Sequence, residues 1–277
     1  MKRFVLGIIV YVIIVLMLWN ALELLKLYTH RYEKKVNGAE IYYALFSSKT
    51  ERKVKRIVLG DSVGCQLYPS NQEYDSVVSM SCNQAITMAG HYFLLKNFIE
   101  TNQEDLPEEA ILLITPFSLS NDVDKYAYHY FLKPFPYHQY SNLYTNHLKE
   151  RIQTIPFFWS ANLPFIQTSS YSPKWAVPLT ASNQSISQLS YEYLIKMDSI
   201  TKCNGIKFQM ISTPVRDDRR DDMDSFWDHL PTDYADKLDD LLQPYKESIV
   251  FMPSDYYTDE VHFLGDKIPD DYLRILK

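Results

Sequence analysis

Ile57-Val58-Leu59-Gly60-Asp61-Ser62-Val63-Gly64-Cys65 is the stretch whose reading decides the fold. Just upstream, Lys53 to Arg56 alternate charge with Val54. The run then turns wholly apolar and stops at Gly60, the pattern of a short buried strand ending in a tight turn. A serine follows at once. Open α/β sheets bind their ligands in the crevice beyond the carboxyl ends of the strands, and Gly60 and Gly64 let the backbone bend closely around a hydroxyl held there. Gly-Asp-Ser alone also fits an ordinary polar turn, because all three residue types favour turns.

The other end of the chain supplies a partner for that serine. Asp259-Glu260-Val261-His262 follows the apolar run Ile249 to Met252 and stands two hundred residues after Ser62. A carboxylate three residues before a histidine can fix the imidazole tautomer and turn its second nitrogen toward a serine, which is the logic of acyl-transfer triads. Histidine suits that role because its unperturbed pKa lies near neutrality. Glu260 is a second carboxylate within reach of the same imidazole.

Gly-Asp-Ser after the first strand and Asp-x-x-His after the last resemble, in order, position and spacing, the SGNH (GDSL-like) hydrolase superfamily. The resemblance covers residues 53 to 277. It implies Ser62 as nucleophile, His262 as base and Asp259, in preference to Glu260, as the carboxylate that orients it. Gly60 and Asp61 then shape the turn and orient Ser62. It also implies an oxyanion hole built from a backbone N–H and an Asn side chain in the loops after strands two and three, donors that meet the charge developing on a carbonyl oxygen. After strand two the chain reads Ser81-Cys82-Asn83-Gln84-Ala85, with Asn83 near the place where the family commonly carries a glycine. Asn83 is either a donor or an N-cap of the following helix. After strand three, Asn121-Asp122 matches the family's Asn-Asp pair, and Asn121 is either a donor or an Asx-turn residue.

Between these ends, apolar runs alternate with longer mixed segments, the signature of a parallel sheet with helices on its faces. The strand-like runs are Val54 to Leu59, Val77 to Ser81, Ala110 to Thr115, Ile206 to Ser212 and Ser248 to Met252. Helices are expected over Gln84 to Thr101, Ser185 to Cys203 and Thr232 to Gln243, with a last one from Leu264. The expected fold is thus α/β: a three-layer α/β/α sandwich with a five-stranded, mainly parallel sheet of the SGNH or flavodoxin-like kind, preceded by one N-terminal transmembrane helix.

That helix is read from Phe4 to Trp19, an uninterrupted apolar run extending toward Leu25. About 20 such residues suffice to cross a bilayer core. No small-residue cleavage site follows, so residues 1–25 read as an uncleaved signal-anchor in contact with lipid through residues 4–25. Met1-Lys2-Arg3 is a short positive head, while Lys26, His30, Arg31, Lys34 and Lys35 crowd the far side. The reading adopted leaves the head in the cytoplasm and the body on the extracytoplasmic side of the cell membrane. Residues 26–52 read as a juxtamembrane helix, Glu23 to Ser48, and a connector to the body at 53–277.

The formal charge of −6 speaks against nucleic acid, which requires a basic footprint. Among seven glycines none form a dinucleotide or phosphate-loop pattern, so no nucleotide cofactor is expected. Cys65, Cys82 and Cys203 show no framework spacing, and no Cys or His pairs stand at metal-ligand spacing, so no metal is expected either.

Residues 116–183 exceed an ordinary crossover and are rich in aromatics. Tyr126, Tyr128, Tyr130, Phe131, Phe135, Tyr137, Tyr140 and Tyr144 are followed by Phe157, Phe158, Trp159, Tyr171 and Trp175. Such an insertion forms a core of its own, packs on a partner, or offers rings to sugars or acyl chains. Arg216 to Asp224, a mixed charge run after strand four, reads as a solvated loop.

Two function classes follow. One is a membrane-tethered serine ester hydrolase or O-acyltransferase, O-acetyl in character, acting on an acylated glycan or similar small ester of the cell envelope through an acyl-serine. The resemblance implies for it a possible multi-pass membrane acyltransferase partner. The other is a catalytically silent module of the same fold that binds glycan or scaffolds an envelope assembly. Both depend on whether folding brings Ser62 and His262 together on one rim of the sheet.

Overall fold

The computed structural model describes residues 2–24, 39–123, 128–155, 158, 185–265 and 267. The apolar runs form strands β1 (Arg56–Gly60), β2 (Val77–Ser81), β3 (Glu109–Ile114) and β4 (Lys207–Ser212). They make one parallel sheet in the order β2-β1-β3-β4. Ile57 faces Val78 on one side and Ala110 on the other, and Gly60 faces Ser81 and Leu113. β1, β2 and β3 read as apolar runs because their residues are buried on both faces of the sheet, β2 included although it is an edge strand, whereas the other edge strand, β4, keeps Lys207 exposed. From β1 the chain goes first to one neighbour and then to the other. That reversal opens a crevice at the carboxyl end of β1, where doubly wound sheets place ligands.

The helices, in chain order, are α1 (Lys2–Leu24), α2 (Ala39–Ser48), α3 (Ser62–Leu67), α4 (Thr87–Thr101), α5 (Tyr137–Tyr140), α6 (Asn146–Gln153), α7 (Gln188–Cys203), α8 (Arg220–Asp228) and α9 (Thr232–Glu247). Alternate strand residues point to opposite faces, so Ile57, Leu59, Met80, Leu112 and Ile114 join the large core with α2, α4, α7 and α9. Val58, Ile111 and Leu113 join a smaller cluster under α3, closed by Tyr257 and Phe263. A fully buried Tyr245 donates its hydroxyl to Ile114 O at 2.9 Å, fastening α9 to the end of β3.

The described part of the aromatic segment joins the main core rather than forming one of its own. Phe93 of α4 is fully buried and is ringed by Phe131, Phe135, Tyr140 and Tyr144, with the Tyr144 ring parallel to it at 5.7 Å between centroids. Burying one such ring is favourable by about 2–3 kcal/mol, so the cluster anchors the described part of the insertion to α4. Tyr126, Phe157, Trp159, Tyr171 and Trp175 lie outside the described residues.

The structure departs from the expected layout in three places. In place of five strands in one sheet there are four, with a separate parallel pair, β5 (Val215–Arg216) and β6 (Phe251–Met252). Pro214 interrupts the chain after β4 with a residue that has no N–H, and the N–H of Ser212 is taken by the Ser248 hydroxyl at 2.8 Å. The run from Ser248 therefore pairs with Val215 rather than with β4. Second, the boundary drawn between residues 52 and 53 falls inside the packed body, because Ile41 and Ala44 of α2 are buried in the main core. Residues 25–38 of the expected juxtamembrane helix are not among those described. Third, Leu264 itself stands in no helix, its carbonyl accepting the Lys267 N–H at 2.9 Å, and the rest of the helix expected from it, residues 266 and 268–277, lies outside the described residues. At the other terminus, α1 exposes Phe4, Leu6, Met17 and Leu18, and its described side chains run from Lys2 to Leu18. Among the described residues no helix is long and apolar enough to cross a membrane.

Candidate active site

The turn after β1 is held by one buried carboxylate. Asp61 caps α3, its Oδ1 accepting the N–H groups of Val63 and Gly64 at 3.0 Å each. Its Oδ2 accepts the Thr115 N–H and the Ser118 hydroxyl, both at 2.7 Å. Burial pushes the Asp61 pKa up, against the pull of these bonds from Gly64, Ser118, Thr115 and Val63. The carboxylate thereby ties the end of β1 to the loop after β3 and leaves Ser62 as the first residue of α3. Gly64 is needed for the close approach of α3 to the sheet, since a Cβ there would stand 2.4 Å from Leu113 O. At Gly60 a Cβ would meet Ser81 Oγ at 2.6 Å and Leu113 O at 2.7 Å.

The histidine arrives on a tight hairpin. Tyr257 and Phe263 form an antiparallel bridge, their rings stack at 4.8 Å, and Thr258 N donates to His262 O at 2.8 Å. Within the hairpin, Asp259 Oδ1 accepts the N–H groups of Val261 and His262 at 2.8 Å each, and Asp259 Oδ2 lies 2.8 Å from His262 Nδ1. Burial works to raise the Asp259 pKa, but the two N–H groups and the imidazole outweigh it and hold the carboxyl below its usual range. His262 Nε2 stands 2.9 Å from Ser62 Oγ. With the Nδ1 proton directed to Asp259, Nε2 is the acceptor for the serine hydroxyl.

Ser62, His262 and Asp259 are thus brought into one hydrogen-bonded line at the carboxyl edge of β1. Glu260 points elsewhere, 3.5 Å from Arg219 NH1. Such a line can draw a proton from a serine as its oxygen attacks a carbonyl. Asp259 is 54% exposed and His262 27%, so the relay lies open to solvent at its carboxylate end.

The two asparagines stand differently. Asn83 Oδ1 accepts the Ala85 N–H at 2.9 Å, which makes it the cap of the 3₁₀ turn Gln84–Ile86, and its amide N–H₂ has no partner among the described residues. Asn121 ends the 3₁₀ turn Pro116–Ser120, and its carbonyl accepts the Ser187 hydroxyl at 2.8 Å. No hydrogen bond links Asn121 to Ser62, His262 or Asp259 among the described residues. Asp122 faces away, pairing with His147 Nε2 at 2.9 Å.

Several residues of the site carry no motif. Ser118 completes the Asp61 shell. Gln66, one turn after Ser62, pairs with the Phe263 backbone twice: its Oε1 accepts the Phe263 N–H at 3.0 Å, and its Nε2 donates to Phe263 O at 3.2 Å. The charge run expected to be a solvated loop instead reaches the hairpin, since Arg216 NH1 donates to Asp259 O at 2.9 Å. Arg219 is buried against the Phe117 ring and pairs with Asp222 and Glu260. The one sequence signal for Gln66 was its four-residue spacing from Ser62, which places both on one helical face. In comparisons with known proteins, no family model matches this sequence and no curated protein aligns with it significantly.

Proposed function

We propose that this chain is a serine ester hydrolase or O-acyltransferase of the SGNH type. The observation that supports it is the line Ser62 Oγ, His262 Nε2, His262 Nδ1, Asp259 Oδ2, with steps of 2.9 and 2.8 Å, at the switch point of a parallel sheet. In the reaction, Ser62 Oγ attacks the acyl carbonyl while its proton passes to His262 Nε2. The tetrahedral adduct expels the alcohol oxygen, which takes that proton from the imidazolium and leaves an acyl-Ser62 ester. Water, or the hydroxyl of a second sugar, then repeats the sequence and frees the serine. Asp259 holds the tautomer and balances the transient imidazolium charge. The backbone N–H of Ser62 and the Asn83 amide, which has no partner among the described residues, are the donors assigned to the oxyanion.

The substrate class proposed is an O-acyl, chiefly O-acetyl, ester of a cell-envelope glycan. An open relay suits a hydroxyl on a large polymer, and the N-terminal helix suits a substrate fixed in the envelope. The anchor is proposed from the apolar run Phe4 to Trp19 of the sequence, which lies within α1. Its exposed Phe4, Leu6, Met17 and Leu18 are what a lipid-facing surface presents. In this reading α1 is a single-pass anchor, the body lies on the extracytoplasmic side, and a multi-pass membrane acyltransferase is the natural acyl donor for the transfer variant.

The test is labelling of the purified full chain by a fluorophosphonate probe. Labelling that disappears in Ser62→Ala supports the reading. A folded wild-type chain that stays unlabelled sinks it and leaves a glycan-binding module.

A further inference from the structure

The bonds inside the hairpin fix Asp259 against His262, but none of them fixes the distance from the hairpin to Ser62. Two contacts from outside do. Gln66 lies four residues after Ser62 in α3, on the same helical face, and its side-chain amide engages both the N–H and the carbonyl of Phe263, the residue after the histidine. The amide thus imitates a strand neighbour, and the pairing requires one donor and one acceptor at this reach. On the other flank, Arg216 of β5 donates from NH1 to the carbonyl of Asp259, and its Nε is held by Asp218 Oδ1 at 3.0 Å. Arg216 itself is registered opposite Met252 of β6, so its origin is set by a strand pairing. The peptides on either side of the Asp259–His262 turn are therefore gripped, one from the serine's own helix and one from the β5–β6 pair.

We infer that Gln66 and Arg216 are positioning residues that set the Ser62–His262 separation, Gln66 being the dominant one. The inference rests on the hydrolase reading for its catalytic consequence but not for its structural one. Packing of Phe263, buried beside Val58 and Leu113, is the competing explanation for how the hairpin is held. The two explanations differ in what happens when the amide is replaced and the ring is left alone.

Gln66→Met keeps the length and apolar stem of the side chain and removes both polar contacts. Gln66→Glu keeps the acceptor for the Phe263 N–H but sets a carboxylate oxygen against the Phe263 carbonyl. The full chain and both variants are compared by thermal unfolding and by ¹⁵N NMR of His262, with Ser62→Ala giving the Nε2 shift of an imidazole that has lost its serine donor. Hydrolysis of 4-nitrophenyl acetate is followed alongside. The expected result is that both Gln66 variants unfold near the wild-type temperature and keep the low-field Nδ1 proton of the Asp259 bond. Their Nε2 shift moves to the Ser62→Ala value. Their kcat falls about 10- to 100-fold at unchanged KM, the cost of misplacing a reacting group by about an ångström. Arg216→Met shows a smaller loss in the same direction, and Arg216→Lys recovers part of it.

An Nε2 shift that stays at the wild-type value in both Gln66 variants overturns the inference and assigns the hairpin's placement to Phe263. A wild-type chain that labels with no fluorophosphonate and cleaves no ester refutes the hydrolase reading alone. The nitrogen shift still decides the positioning role in that case.

Discussion

Replacing Asp61 by alanine tests whether one carboxylate organises the turn that carries Ser62. The side chain is fully buried and accepts from Val63 N, Gly64 N, Thr115 N and Ser118 Oγ. Without it three backbone N–H groups lose their acceptor in the interior, each at a cost of about 1–3 kcal/mol. Ser118 suffers least, because its hydroxyl can turn to Gln84 Oε1, already 3.3 Å away. Relief from burying a charge offsets part of the total, so a net loss of roughly 3–6 kcal/mol is expected. Asp61→Asn keeps one accepting oxygen, loses chiefly the Thr115 bond, and should cost about 1–3 kcal/mol. At about 2–4 °C per kcal/mol for a domain of this size, the alanine variant should melt about 6–24 °C below wild type and the asparagine variant between the two. Thermal unfolding of the full chain by near-ultraviolet circular dichroism measures both. An alanine variant within about 1 kcal/mol of wild type would refute the claim that this carboxylate joins the β1 turn to the loop after β3.

Three further outcomes follow from particular contacts. Gly64→Ala should lose about 1–3 kcal/mol of stability in urea titration and most of its fluorophosphonate labelling, because the new Cβ would be driven into Leu113 O and push α3, with Ser62, off the sheet. His91 is fully buried, neither ring nitrogen has a partner among the described residues, and burial lowers its pKa to about 3. Between about pH 6.5 and 3 the unfolded chain therefore holds the extra proton, and stability falls as pH falls, by up to about 1.4 kcal/mol per pH unit. His91→Leu should flatten that limb of the stability profile, and an unchanged slope would mean that the ring is satisfied in solution. Asp259→Asn should slow ester hydrolysis about 10²-fold, a modest value among general-base effects because water reaches this half-exposed carboxylate. A loss near that of Ser62→Ala would contradict the open geometry.

Much of the sheet was legible because buried parallel strands are written as apolar runs. Val77–Ser81 matches its expected bounds and β1, β3 and β4 differ by one or two residues. The two ends of the candidate relay were legible because short motifs flank those strands. What failed to show was cooperation between distant, chemically ordinary letters. Gln66 meets Phe263 across 197 residues, and nothing in either residue type announces the meeting. Arg216 looked like one more charge in a run, although its strand pairing aims it at the hairpin. The two-residue strands β5 and β6 are too short to carry a period, so the split of the sheet follows from Pro214 and the Ser248 hydroxyl rather than from any pattern. Likewise, α2 read as the end of a juxtamembrane helix outside the body because its buried apolar residues, Ile41 and Ala44, are few among polar and aromatic neighbours.

Rapid quench of the full chain with 4-nitrophenyl acetate, followed by peptide mass spectrometry, tests the central claim most directly. The account predicts a burst of nitrophenol and an acetyl group on Ser62, both lost in Ser62→Ala and strongly slowed in His262→Ala. A folded wild-type chain that never carries acetyl on Ser62, or that releases nitrophenol as fast when Ser62 is alanine, would contradict it.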